Sequence, residues 1–591
     1  MRQDSRKWVQ MPQITRRFSL AVVAAVSVMG VCGSVSAFEI TTGSEDVVIH
    51  WDNTLRYTLA QRVKGQSRDI VNSPNHNDGD RNFDVGIVSS RLDLLSEMDV
   101  VYKNDFGVRV SGAGWYDPIY RKGLDGNNNQ FPNHFGSNGA PSPGLNNGTL
   151  DQFGGVNGEL LDAFAFGKIT IGDVPLNVRA GRHTIYWGEA FFPAAGNNGI
   201  SYAQSPIDMA KALAMPGVEL KEIFRPLNQV SFTVQPTKEL TFAGQYYLQW
   251  QANKFPETGS YLGMVDGMMN KGEFFYFPWG PDGTNPPGAP APNWTGMAAL
   301  NAGDHKPKNS GDWGLKASYS PESLDATIGL HYRNFSDKMP QALSSKFLTG
   351  ANPPLPTDFY YDYKSNIQLY GISFAKNILG TSVGSEISYR RNMPLTSQWF
   401  APEGARGDTM HAVVNFLTLL PKTALFDSGS SIVEFAYGRW NSVSSGAQYF
   451  TGGNGLNPMG EPVNQGTGAA TRDWSNVTVN VVPEWKQILP GVDLAMPVNF
   501  SVGMHGNAAT LTGGTRGTGS YSAGLSFDVY AKYKIDLTYA SFFGGVYPGA
   551  DGGIVPPGFE SNTSPLGRGA ADAIALLRDR DLLSLTLKAT F

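Results

Sequence analysis

The stretch Val47-Val48-Ile49-His50-Trp51-Asp52-Asn53-Thr54-Leu55-Arg56-Tyr57-Thr58-Leu59 decides how this chain folds. Val47, Ile49, Trp51, Leu55, Tyr57 and Leu59 fall on odd positions; His50, Asp52, Thr54, Arg56 and Thr58 fall on even ones. Successive side chains of a strand point to opposite faces, so this period of two predicts one apolar and one polar face. The pattern recurs. Leu92, Leu94, Met98, Val100 and Tyr102 oppose Arg91, Asp93, Glu97 and Asp99, and Phe106, Val108 and Val110 oppose Arg109 and Ser111. Leu176, Val178 and Ala180 oppose Asn177, Arg179 and His183. Phe242, Tyr246, Leu248 and Trp250 oppose Thr241, Gln245 and Gln249, and Leu324 to Tyr332 oppose Asp325, Thr327, His331 and Arg333.

A soluble sandwich alternates too, and three features separate the cases. Many runs reach about 10–14 residues, where a tilted membrane strand needs about 9–11 and a globular one about 5–6. Trp and Tyr (Trp51, Tyr102, Trp115, Trp250, Trp313, Tyr319) stand near run ends, as interfacial girdles require. The chain closes on Leu583, Leu585, Leu587, Ala589 and Phe591 alternating with polar residues, the pattern that barrel-assembly machinery reads. Backbone polar groups in hydrocarbon must all be paired, so such strands span only as a closed barrel. The reading is an all-β, transmembrane antiparallel barrel of about 16–18 strands. Leu525–Tyr539 is either one strand or two, because a three-residue turn at Tyr530-Ala531-Lys532 keeps the alternation.

Arg16 and Arg17, the apolar run from Phe18 to about Val31, and Val35-Ser36-Ala37 describe a secretory signal peptide over 1–37, leaving 38–591 as one barrel. Removing 1–37 takes away five basic and one acidic side chain, so 41 basic face 50 acidic residues, a net of −9. An acidic chain without basic clusters argues against nucleic acid. The single cysteine, Cys32, falls in the leader, which excludes disulfides and thiol chemistry from the remainder. Glycine, at 69 of 591, and Asn- and Pro-rich stretches place long external loops at 62–85, 116–157, 191–227, 252–310, 338–364, 443–472 and 544–578.

Two loops stand out. Ser205-Pro206-Ile207-Asp208 leads into Met209–Ala214, a short helix with Pro at N1 and an S-x-x-D capping box, and Val218–Phe224 supplies another turn. A helical segment over 205–225 folded into the lumen is the expected constriction, with Asp208, Met209, Lys211, Glu219 and Glu222 as its candidate residues. The second, Phe255 to Trp279, is rich in aromatics and Met, and reads as a greasy surface or as a loop packed on itself.

Phe38-Glu39-Ile40, Trp51-Asp52-Asn53-Thr54, Asp78-Gly79-Asp80-Arg81-Asn82-Phe83-Asp84 and Ser90-Arg91-Leu92-Asp93-Leu94-Leu95-Ser96-Glu97 together resemble the domain-of-unknown-function 1302 family of proteobacterial outer-membrane proteins. Arg179-Ala180-Gly181-Arg182, Trp187-Gly188-Glu189, Pro206-Ile207-Asp208 and Pro216-Gly217-Val218-Glu219-Leu220-Lys221-Glu222 are similar to it as well. The resemblance implies an outer-membrane barrel, encoded near envelope lipoproteins and inner-membrane efflux transporters, that handles hydrophobic molecules as long-chain fatty-acid channels do. It implies no site residues.

No catalytic site emerges. There is no G-x-S-x-G, and the eight histidines form no H-x-x-x-H pair, so no metal and no cofactor is expected. Asp78, Asp80 and Asp84 lack the ligand spacing of a calcium loop and read as a solvated turn. The charges on the polar face, Arg56, Arg91, Asp93, Glu97, Arg109, Arg179, His183 and Arg333 among them, belong in the lumen, since a basic side chain on the lipid face at mid-bilayer costs about 2–4 kcal/mol. The expected function is an outer-membrane channel or exporter component for small hydrophobic or amphipathic molecules. The rivals are a general hydrophilic porin and a structural or surface-interaction barrel acting through its loops. Expected partners are outer-membrane lipid and lipopolysaccharide, barrel-assembly machinery, a small hydrophobic ligand, and periplasmic or inner-membrane transport proteins.

Overall fold

The computed structural model describes residues 38–40, 43–121, 124, 132–136, 138–214, 220–268, 270–276, 298–347, 356–452, 469–548, 554, 569–570 and 572–591; the leader 1–37 lies outside them. Eighteen antiparallel strands form one closed barrel. They are β1 (Val47–Arg62), β2 (Gly86–Tyr102), β3 (Phe106–Tyr116), β4 (Asn157–Ile171), β5 (Val174–His183), β6 (Leu227–Val234), β7 (Leu240–Tyr247), β8 (Trp313–Tyr319) and β9 (Ala326–Phe335). Then come β10 (Ile367–Ile378), β11 (Thr381–Pro394), β12 (Arg406–Leu420), β13 (Ser428–Ser445), β14 (Asp473–Leu489), β15 (Val492–Ala495 resuming at Val498–His505), β16 (Gly519–Val529), β17 (Tyr533–Phe543) and β18 (Leu582–Thr590). The interruption in β15 falls at Pro497, which has no N–H to give the ladder.

Closure comes from β18, which pairs β17 from Tyr533↔Ala589 and β1 from Thr54↔Thr590 to Arg62↔Leu582. Beyond the C-terminus, Phe38–Ile40 takes over the edge of β1 with Phe38↔Trp51. Hence no wall edge is left open, as hydrocarbon demands. The doubtful stretch Leu525–Tyr539 resolves into two strands, with Tyr530 and Ala531 turning at φ of 54° and 53°.

Short turns (103–105, 172–173, 235–239, 320–325, 379–380, 421–427, 490–491 and 530–532) lie at the end carrying both termini, the arrangement that outer-membrane barrels have at their periplasmic rim. The long connections lie at the other end. Besides those expected from composition they include 395–405 and 506–518. Five residues expected on strands lie elsewhere: Leu324 and Asp325 belong to the 320–325 turn, and Leu248, Gln249 and Trp250 follow the end of β7. Neither Trp115 nor Trp250 serves in a lipid girdle. Trp115 faces inward under Arg91, 5.2 Å from its ring, and Trp250 is buried among loops against Tyr363.

The external loops share a core. Ile70, Leu213, Met264, Phe275, Phe359, Phe400 and Leu576 come from six different connections and are nearly inaccessible. The aromatic loop therefore packs inward: Tyr261, Phe274, Phe275 and Tyr276 are buried in this cap rather than offered as a greasy surface, and 277–297 lies outside the described residues. Asp78-Gly79-Asp80-Arg81, read as a solvated turn, is a one-turn helix at the cap's centre. Asp80 takes Arg62 of β1 at 2.8 Å and Arg580 at 3.0 Å, and Arg580 also donates to the Tyr261 and Gly263 carbonyls. A Cβ on Gly79 would strike Arg580 and the Ser260 carbonyl, so only glycine fits between the two aspartates.

Candidate functional site: a segment clamped inside the barrel

The lumen has two unlike walls. Along β1–β5 the inward side chains form an ionic lattice. Asp93 takes Arg91 at 2.8 Å and Arg56 at 3.4 Å; Arg109 reaches Glu97 at 2.6 Å, Asp99 at 2.7 Å and Asp162 at 3.5 Å. Arg179 lies 5.6 Å over the Phe164 ring, and His183 bonds Ser231 Oγ through Nε2 at 2.8 Å. The structure thus brings seven of the eight lumen candidates onto β1, β2, β3 and β5, and all but His183 keep partial or full exposure. Arg333 is separate. It sits on β9, fully buried, beneath a piece of chain that fills the other half of the barrel.

That piece is the first part of the β5–β6 connection, 184–204. It descends from the external end to the level of Glu386, which stands five residues above the start of β11, or about 13 Å at 3.3 Å per residue and a 40° tilt. Four charged side chains of the wall hold its backbone. Glu386 accepts from the N–H of Glu189 at 2.8 Å and of Ile200 at 3.0 Å; Glu434 accepts from Phe191 at 2.6 Å and Phe192 at 2.9 Å. Arg390 donates to the carbonyls of Asn197 (3.0 Å) and Gly199 (2.7 Å), and Arg333 to those of Ile200 (2.9 Å) and Tyr202 (2.6 Å). Irregular chain inside a barrel has peptide groups that no ladder satisfies, and charged partners are the strong answer to that need.

Local sequence allows the close approach. Gly188 stands at φ +101°, and a Cβ there or on Gly199 would run into the Glu386 carboxylate. Asn198 locks the far end, accepting from Trp474 Nε1 at 3.1 Å and bonding His411 at 2.9 Å. Ile200, Trp187 and Tyr202 pack on Leu369, Ile367 and Phe335 of the wall. Phe191, Pro193 and Ala194 of the segment stay partly exposed, whereas the Glu189 side chain turns to the wall beside Gly384.

The 205–225 stretch reaches the wall at Arg225, which meets Glu159 of β4 at 3.6 Å. Met209–Ala214 is helical, but its cap is Asp208, whose Oδ1 accepts from Lys211 N–H at 3.0 Å; Ser205 caps nothing there. Asp208 also meets Lys254 at 3.8 Å. Leu213 joins the external cap core, Met209 and Lys211 are half-buried beside it, and Glu222 is exposed on the Leu220–Ile223 turn. Glu219 lies outside the described residues. The lumen is narrowed by the residues just before the expected helix. Apolar helical periodicity drew attention to 205–225, whereas 184–204 has none, being held by peptide groups. The available signal lay on the wall, in Glu386, Arg390 and Glu434 at inward positions without ion-pair partners across the sheet.

The family model described as "Protein of unknown function (DUF1302)" matches residues 18–591. The chain belongs to this family. No curated protein matches this DUF1302 chain. Among solved structures it is similar to Acinetobacter baumannii OccAB1, with 10% identity over 92% of this chain and 96% of that one, at a TM-score of 0.38. It is also similar to Pseudomonas aeruginosa OpdK with vanillate (10%, 92% and 98%, TM-score 0.35) and OccK9 (OpdG) (9%, 92% and 98%, TM-score 0.37). Likeness this slight fixes no residue correspondence with the DUF1302 barrel.

Proposed function

We propose that this protein is a channel of the bacterial outer membrane that passes small amphipathic molecules between the clamped segment and the ionic wall. The observation that carries the reading is the contrast across the gap. Arg56, Arg91, Arg109 and their carboxylates line one side; Phe191, Pro193 and Ala194 show on the other. A molecule with one polar and one apolar face meets matching surfaces, whereas a wholly apolar one must desolvate ions, at a cost that unpaired charge makes large. Outer-membrane residence rests on the closed barrel, its apolar outer face and the terminal Phe591 strand.

The test is reconstitution of the mature chain in planar bilayers and liposomes. Small, discrete conductance with faster uptake of amphipathic solutes than of sugars of equal size supports the reading. A wide conductance with uptake set by size alone supports a general hydrophilic porin, and no conductance with no uptake rejects both channel readings.

A further inference from the structure

A cylinder is convex toward lipid, yet part of this wall is concave. The outward faces of β6–β15 line an open apolar hollow of about 1210 Å³. Its floor is two cross-strand rows, Leu330–Ile372–Ile387 and Tyr332–Tyr370–Tyr389, whose members are outward-facing and mostly exposed. The same strands carry Arg333, Glu386 and Arg390 on their inner face, so the hollow backs onto the clamp.

Its height is set by the strands. Tyr389 stands eight residues above the start of β11, about 20 Å from the periplasmic rim at 3.3 Å per residue and a 40° tilt. In an apolar band about 25 Å tall this row lies in the outer leaflet. Just above it the wall turns cationic. Arg391 follows Tyr389 on β11, is exposed and makes no ion pair among the described residues. Arg439 of β13 lies two strands away on the same outer face. Two carboxylates share this band, and both are engaged: Asp408 accepts from Tyr389 Oη at 2.9 Å, and Asp473 meets Arg439 at 3.4 Å and Tyr437.

An apolar hollow topped by phenols and then by guanidinium groups matches one occupant by charge and by depth: a phosphorylated, multiply acylated glycolipid of the outer leaflet. Its acyl chains would fill the hollow while its phosphates take the arginines, which offer bidentate donors to phosphate. We propose that this face is a lipid A site, one molecule per barrel, continuous with the lipid-facing wall and opposite the clamp.

Native mass spectrometry of barrels extracted from outer membranes in mild detergent tests it, with heat-modifiable migration confirming that each variant is folded. The wild type should retain one lipid A. Arg391→Glu, and Arg391→Glu with Arg439→Glu, should lower its occupancy, the double variant by about tenfold, equal to about 1.4 kcal/mol. Ile372→Trp with Ile387→Trp, which fills the hollow without touching the arginines, should displace it too. Delipidated barrel should take bisphosphorylated lipid A in preference to the dephosphorylated form and to phosphatidylglycerol. Equal retention by folded variants, equal uptake of phosphatidylglycerol, or a second barrel copy on this face in crosslinking would each overturn the proposal.

Discussion

Removing the Glu386 carboxylate should loosen the segment without opening the barrel. Each oxygen accepts one backbone N–H, from Glu189 and from Ile200. Hydrogen bonds to charged groups contribute about 1.5–3 kcal/mol each, so Glu386→Ala costs the attachment about 3–6 kcal/mol. Glu386→Gln is informative because an amide keeps one acceptor and turns a donor toward the other N–H, so at least one contact becomes repulsive. Glu434 makes the matching pair with Phe191 and Phe192. The double variant Glu386→Ala/Glu434→Ala therefore abolishes four of the eight backbone contacts described above. Single-channel recording should show a modest, noisy increase for the single variants and a severalfold larger, steadier conductance for the double variant. Limited proteolysis should cut within 188–200 only in the double variant. Unchanged conductance and unchanged cleavage in a folded double variant would refute the clamp.

Three further outcomes follow from the same geometry. Gly188→Ala forces a Cβ onto the Glu386 carboxylate at φ +101° and should act like Glu386→Ala, losing about 1–3 kcal/mol of local stability, read by hydrogen exchange in 188–200. Asp80→Asn leaves Arg62 and Arg580 only the Asp579 carboxylate, at 3.3 and 3.8 Å, and losing one partner of this buried cluster costs at most about 3–5 kcal/mol; protease should then open the cap loops while barrel migration on gels stays the same. Burial pushes the His76 imidazole down to about 3, with Ser73 Oγ 2.8 Å from Nδ1. A base held below its ordinary value of 6.5 takes up protons more readily once unfolded. The cap therefore loses stability as pH falls below about 6.5 toward 3, by at most about 1.4 kcal/mol per unit. Thermal melts of the cap should show that slope reduced in His76→Gln, and an identical slope would contradict the assignment.

Alternation was enough to read the barrel from residues such as Leu92–Asp93–Leu94, because lipid and lumen impose opposite chemistry on neighbouring positions. It put Arg56, Arg91, Arg109 and Arg179 on the polar face for the same reason. It misled at Trp115 and Trp250, where an aromatic near a strand end packs under an arginine or among loops instead of at the bilayer interface. The clamp was not legible as a unit. Glu386 and Arg390 were identifiable as inward charges, but what they hold is backbone, and Glu189 or Asn197 offer it as any residue would. The hub at Asp80 escaped for a related reason: Arg62, Asp80, Asp579 and Arg580 meet only once the connections 63–85 and 544–581 have folded together.

The most direct test of the central claim places single cysteines at Arg179 and Ala194, on either side of the gap, and at Leu94, on the lipid face, in the mature barrel. Current is then recorded during exposure to a charged thiol reagent. A passage lined by β5 and the clamped segment predicts a stepwise loss of current at positions 179 and 194 and none at 94. Current untouched by modification at both lumen positions would mean that solutes do not travel through this gap.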